Sequence, residues 1–586
     1  MEILKLTKGL KKYVFVMLVF SIVQVFSELY LPNIMSDVVD IGISQGDKTF
    51  ITKEIIFMIV ISIVGLISNV IVVYSTAKFA NNYGFNIREA LYKKISSFSK
   101  KEIDKFGAST LITRSTNNVS NITSTFSFGL RLLVFAPIMG IGAAIMAYQK
   151  AEVLAPIVVI SVIVLILSVI IIFLSVFPKF ERLQKLLDKL NKSSREILTG
   201  IRVIKAFNKE EYFKNKFDKI NTENKELNIF LNKILYLVQP MMILIINIAT
   251  IVIVYVSMGY LSDGTLEIGS MMAFIQYMAT ILMSFLILLV IILNIPRVFV
   301  SIKRINEILN QDLSISNDGH IKLQSLESIE FKNVYYKYDT ADDYLLKDLS
   351  FRIEKSNKIG IIGSSGSGKT TIINLLLRHI DASSGSILIN GIDIKEYTQE
   401  SLRNIFAYTP QKALLFKGSI RENLEFDSNY TKDDINDVLD IADIKDFIDN
   451  NEEGYNFELQ QAGLNLSGGQ KQRVSIARAL LSGGECLIFD DSFSSVDYIT
   501  DKKIRTAIAN NYKDKMVIYI TQRIETIKNC DHIIVIDEGK IESIGTYDEL
   551  LNSSSVFNEF TSSQKEEGIL WKNLHLKKQL VKLLNL

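Results

Sequence analysis

The chain has 586 residues, and 48% of them are hydrophobic, a length beyond one domain and an apolar content high for a wholly soluble protein. A net charge of +2 excludes the overall basicity of a nucleic-acid binder, so no nucleic-acid partner is expected. Two cysteines, Cys486 and Cys530, are too few for a disulfide framework or a cysteine-based zinc site, and fit a reducing cytosol.

The apolar residues crowd into the first half. Six stretches, near 13–31, 54–78, 128–147, 153–178, 235–262 and 269–296, each approach the ~20 residues that cross a bilayer. Six such runs exceed any soluble core. The first follows "MEILKLTKGLKKY", whose Lys5, Lys8, Lys11 and Lys12 resemble the basic start of a signal peptide. Its apolar stretch is long and no A-x-A-type cleavage site follows, so it reads as a retained span. Lys and Arg then set the orientation. Arg88, Lys93, Lys94, Lys100, Lys101, Lys105 and Arg114 lie between spans two and three, and Lys179, Arg182, Arg195, Arg202 and Lys205 between four and five. The loop "GYLSDGTLEIG" between spans five and six has neither. The long loops and both termini therefore face the cytosol, and their pattern predicts helices that run on beyond the membrane. Polar handles within the spans are few: Gln24, Glu28, Gln239 and Gln276. An acid at such a position is a functional candidate, although Glu28 lies near the outer end, where water can reach it.

From about residue 298 the pattern changes. Strand-like runs alternate with helical ones: "KIGIIG", "TTIINLLLRHI", "CLIFDD", "MVIYIT" and "HIIVID". That predicts an α/β domain with a largely parallel sheet after an all-α membrane domain. "KIGIIGSSGSGKTT" is a strand, a glycine-rich loop and a helix start. Gly363, Ser364, Ser365, Gly366, Ser367, Gly368, Lys369, Thr370 and Thr371 fit the phosphate-binding pattern G-x-x-x-x-G-K-[ST]. Backbone N–H groups of such a loop wrap phosphate oxygens, Lys369 reaches the outer phosphates, and the Thr370 hydroxyl binds Mg²⁺. Asp490 ends the apolar run "CLIFD", where a strand terminus sets an acid beside that metal. A nucleotide with Mg²⁺ is thus expected. "LNLSGGQKQRVSIARALL" adds Ser467, Gly468, Gly469 and Gln470 at a second helix start, a second anion site on the same chain.

With these motifs the sequence resembles the ABC transporter family over nearly its whole length. It looks like a half-transporter of the type IV exporter fold, with LSGGQ as its signature. The resemblance implies a membrane domain over 1–310, a linker over 311–327, a nucleotide-binding domain over 328–563 and a tail over 564–586. It implies that the nucleotide is ATP, that Tyr338 stacks on adenine and that Gln411 is a magnesium ligand sensing the membrane domain. Asp497 matches the D-loop aspartate, and "ELQQAG" the loop ahead of the signature. "KFGASTLITRSTNNV" and "LTGIRVIKAFNKEEYF" resemble the segments whose coupling helices press on the nucleotide domains. In that family each ATP lies between one phosphate loop and the partner's signature, so a second chain is required.

Two positions depart from the family pattern. Family members usually carry Glu directly after the metal-binding Asp, as general base, where this chain has Asp491. They usually carry His before the Arg of "TQRIETI", where this chain has Gln522. Asp491 is a methylene short, which sets its carboxylate back by roughly 1 Å, and such a misplacement costs on the order of 10²-fold. Gln522 donates a hydrogen bond but never becomes cationic. The pairing resembles the degenerate-site half of a heterodimeric exporter. Its partner would be a second half-transporter with Glu and His at those places, and its cargo a hydrophobic small molecule or peptide. A homodimeric exporter and an exporter-fold importer stay open as alternatives. The abundance of isoleucine, asparagine and lysine hints at an AT-rich bacterial genome, and with the six spans the expected location is a bacterial plasma membrane. The tail "EEGILWKNLHLKKQLVKLLNL" has the pattern of a cationic amphipathic helix, suited to lipid or to its own nucleotide domain.

Overall fold

The computed structural model describes residues 2–339, 341–426, 428 and 430–564. The tail reading therefore lies outside the described residues, apart from Gln564. The chain divides into two units, one of residues 1–97 with 106–311, the other of 98–105 with the chain from Asp312 on.

The first unit is helical throughout. Its described residues include six helices long and apolar enough to cross a membrane. They are α1 (Lys11–Asp37), α2 (Lys48–Ser96), α3 (Val119–Lys150), α4 (Ala155–Ala206), α5 (Glu210–Ser262) and α6 (Ile268–Leu309). The expected overrun beyond the bilayer is present: α5 has 53 residues, and at 1.5 Å per residue it is about 80 Å long, well over twice a hydrocarbon core. Apolar side chains stand exposed along the spans, among them Ile59, Ile63 and Ile67 of α2 and Ile163, Leu167 and Ile171 of α4. Lipid, not water, is the solvent such a surface suits. Pairs of helices close over small residues. A Cβ on Gly65 would meet Ser27 at 3.3 Å, so this glycine lets α1 and α2 approach. Within α1, Gln24 is buried and donates to Glu28 at 2.9 Å, and Glu28 is half-buried.

The second unit carries three sheets among its described residues, one of them only the short pair Gly418–Ser419 and Glu458–Leu459. An antiparallel one sets β2 (Leu346–Glu354) beside β1 (Ser328–Tyr336), and β1 beside β4 (Ser384–Ile389). The larger sheet has six strands in the order β9-β8-β3-β7-β6-β5. These are β9 (Lys540–Gly545), β8 (His532–Asp537), β3 (Lys358–Gly363), β7 (Met516–Ile520), β6 (Cys486–Asp490) and β5 (Phe406–Thr409). All neighbours are parallel except β8 and β9. Every residue of β6 and β7 is buried, as a central parallel strand covered on both faces requires. Ile520 pairs with Asp490 on one side and with Ile361 on the other. The carboxyl ends of β3, β7 and β6 thus lie abreast, and ligands bind beyond such ends in open α/β sheets.

Residues 98–105 pack within this second unit. Glu102, 2% exposed, accepts from the Ser99 and Ser314 backbone N–H groups at 2.8 and 3.0 Å. Lys101 pairs with Asp339 at 2.6 Å, one residue past Tyr338. The segment after Asp312 is tied down as well. Buried Arg378 donates to the Ser316 carbonyl at 3.0 Å and to Asp381 at 3.2 Å.

Candidate nucleotide site

The phosphate loop follows β3 and opens α7 (Lys369–Leu376). Gly366 and Gly368 have φ of 85° and 97°, a left-handed path that suits glycine and turns the loop's N–H groups inward. Lys369 bridges the loop's own carbonyls, Gly363 O at 2.8 Å and Ser364 O at 2.7 Å. Burial holds its ammonium below the usual lysine range. Ser367 is buried, and its hydroxyl has no protein partner, an unsatisfied donor inside a loop built for anions.

Asp490 ends β6 and is 1% exposed. Thr370 Oγ1 donates to it at 3.2 Å and Tyr408 OH at 3.4 Å. Burial raises its pKa above the ordinary aspartate value, with Asp491 adding to the shift; the two hydroxyls and Lys369 oppose it. A buried, poorly solvated carboxylate touching a threonine hydroxyl fits a divalent cation, which would relieve both. Thr370 and Asp490 are the protein atoms that fit Mg²⁺ best here. Gln411 stands close by, its Nε2 donating to Asp491 Oδ2 at 3.4 Å.

Asp491 leaves the strand at φ 48°, and its N–H donates to Ile520 O at 2.8 Å. Gln522 follows β7 by two residues. One cavity is lined by Ser365, Gly366, Gly368, Lys369, Thr370, Thr371, Gln411, Asp490, Asp491 and Gln522. The structure therefore brings together sequence-predicted residues from four separate segments. Tyr338 stands at the same end, its OH 3.3 Å from Thr371 Oγ1. Sequence reasoning missed Leu345 and Thr521, which also line the cavity, and Tyr408, which bonds Asp490. Thr521 could have been found from its place beside Gln522. No motif marks Leu345 or Tyr408.

The signature lies elsewhere. Ser467 caps α8 (Gly468–Leu481): its Oγ accepts from Gln470 N at 3.3 Å, and Gln470 Oε1 accepts from Ser467 N at 2.9 Å. Both predicted side chains thus serve the helix start itself. Gly469 sits where a Cβ would come 3.2 Å from the Ser495 carbonyl. None of Ser467, Gly468, Gly469 and Gln470 lines the cavity of their own chain. Asp497 caps α9 (Tyr498–Asn511), accepting from Thr500 N at 3.0 Å. That bond keeps its carboxyl below the usual range.

Comparison with known proteins agrees with this layout. The family model for the ABC transporter transmembrane region matches residues 14–285, and the ABC transporter model matches residues 346–494. An uncharacterized ABC transporter ATP-binding protein of Mycobacterium tuberculosis is 31% identical, over 94% of this chain and 96% of its own length. A provisionally named export ATP-binding/permease protein of Rickettsia felis is 28% identical, over 96% and 98%. The fold is similar to a bacterial Atm1-family ABC exporter solved with ATP bound, at a TM-score of 0.78 and 22% identity, over 95% of this chain and 99% of that one.

Proposed function

The chain belongs to the ABC transporter family, and from that premise we propose that it is one half of a bacterial heterodimeric exporter, moving hydrophobic or amphipathic compounds across the membrane with ATP. The name of the Rickettsia felis relative favours the outward direction. The observation that carries the reading is the contrast within one cavity: the phosphate and metal residues are complete, while the base and histidine places hold Asp491 and Gln522.

The loop from Gly363 to Gly368 with Lys369 binds the phosphates, and Tyr338 the adenine. Thr370, Asp490 and Gln411 would hold Mg²⁺, which when bound neutralises phosphate charge. Asp491 occupies the place from which a base takes the proton of the attacking water. Aspartate and glutamate have similar reference pKa values, so reach decides and not basicity. The Asp491 carboxylate already faces Gln411. Gln522 donates a neutral hydrogen bond where charge develops, a weaker contribution than a charged donor makes. ATP therefore binds at this site and is hydrolysed slowly. The absence of the chain's own signature from its cavity supports completion by a second chain. Its intact Ser467–Gln470 turn would in turn complete the partner's site, where hydrolysis runs fast and resets the pair.

Uptake of the dye Hoechst 33342 into inside-out vesicles tests direction and coupling together. Vesicles holding the chain with the half-transporter that co-purifies with it are expected to accumulate dye only with ATP. Dye leaving preloaded vesicles on ATP addition would instead make the protein an importer.

A further inference from the structure

The segment after β7, residues 521–527, carries Gln522 and is gripped from three sides. Its own Arg523 reaches the loop that follows Asp490 and Asp491, with Nη1 3.2 Å from Phe493 O and Nη2 2.8 Å from Ser494 O. Arg505 of α9 donates to Glu525 O at 2.9 Å and is held in turn by Asp501 at 2.6 Å.

The third grip comes from far along the chain. Gln564 Nε2 donates to Gln522 O at 2.5 Å, and Gln564 Oε1 accepts from Ile524 N at 3.0 Å. One side-chain amide thus imitates the peptide of a neighbouring strand, giving a proton to one residue and taking one from the residue two further on. Both bonds go to backbone, so they direct the path of the segment and with it the origin of the Gln522 side chain. The base of this grip is firm. Gln564 is the last described residue of a helix that covers 555–564, in which Phe557 is fully buried and packs edge-on against Tyr547 at 5.7 Å. Ser554, just before the helix, donates to Glu542 of β9 at 2.7 Å. None of the described residues of that helix lines the nucleotide cavity.

We infer that Gln564 is a positioning residue of the ATP site, through which the helix over 555–564 straps the Gln522 segment at the end of β7. It does not touch nucleotide. It fixes where Gln522 stands when nucleotide arrives, and so governs how long ATP is held there. The inference is independent of cargo, of transport direction and of whether the partner is a copy or a different chain.

The test uses the full chain in nanodiscs, with whatever partner purifies with it, and three variants. Gln564→Ala removes both bonds. Gln564→Met keeps length and packing but forms neither. Gln564→Glu keeps the acceptor for Ile524 N and loses the donor to Gln522 O. Losing both bonds is expected to speed hydrogen exchange at the Ile524 amide by about tenfold in the Ala and Met variants. Gln564→Glu is expected to restore most of that protection. Release of photoreactive azido-ATP bound to this chain should quicken by about five- to tenfold in the Ala and Met variants, and its apparent affinity on labelling should fall by a similar factor. Wild-type exchange and release in Gln564→Met would overturn the inference and reduce Gln564 to packing. Unchanged exchange at Ile524 in Gln564→Ala would overturn it as well. Should Gln564→Ala loosen the whole helix over 555–563, the Met and Glu variants still decide between the two.

Discussion

Asp490 and Asp491 are neighbours in sequence with opposite surroundings. Asp490 is enclosed, and its raised pKa means that its ionised form opposes folding at neutral pH while no cation is present; that penalty fades as pH falls through the raised value. Asp490→Asn, neutral at every pH, is therefore expected to raise the melting temperature at pH 7 without nucleotide. It is also expected to abolish the extra stabilisation given by Mg²⁺ with ATP. Thermal denaturation with and without both checks the two signs together. Asp491 is half-buried and turned to Gln411. Restoring reach and charge with Asp491→Glu and Gln522→His together is expected to raise turnover at this site by about 10- to 100-fold, read as single-turnover hydrolysis of bound ATP. No gain would remove reach as the explanation. These two residues were legible in the sequence because a motif assigns them a place. Tyr408 was not, since a tyrosine in a buried strand carries no sign of which way its hydroxyl points. Gln564 was invisible for a related reason, because its partners are backbone atoms of a segment 40 residues away.

The helices and strands were easier to read than the contacts between them. Buried parallel strands such as Cys486–Asp490 and Met516–Ile520 declare themselves as continuous apolar runs. The six spans declare themselves by length. The antiparallel sheet of β1, β2 and β4 was not anticipated, since its strands mix lysine, serine and glutamate with apolar residues and pair over long separations. Nor was the packing of residues 98–105 within the second unit, which rests on buried Glu102 and not on an apolar pattern. The charge of Lys100 in that segment acts on a titrating group. Burial pushes His379 down to about 4, and the charges of Arg403 and Lys100 push the same way. A depressed histidine is neutral in the folded state while the unfolded chain protonates near its ordinary value. Stability is then full above about pH 6.5 and falls as pH drops toward 4, by on the order of 3 kcal/mol. His379→Gln is expected to flatten that slope in a pH series of denaturant melts, and an unchanged slope would assign it to other groups.

At the scale of the whole molecule the two halves carry different parts of the account. The first unit offers apolar helices with Gln24 and Glu28 as a polar pair in the first span. The second offers a cavity lined by phosphate-loop residues, Asp490, Asp491 and Gln522, which we propose binds ATP and hydrolyses it slowly. Domain order and ATP use were readable because phosphate loops and spans are set by short-range chemistry. The need for a second chain rests on a longer inference, since a signature turn that does not line its own cavity has to be placed against something. The central claim is that this chain holds ATP in a slow site and works beside a different, competent half. The most direct measurement is the ATPase rate in lipid nanodiscs of the chain purified alone against that of the chain with the half-transporter that co-purifies with it. The account predicts little activity alone and about 10²-fold more in the mixed pair. Full activity from this chain by itself, assembled with its own copy, would contradict it.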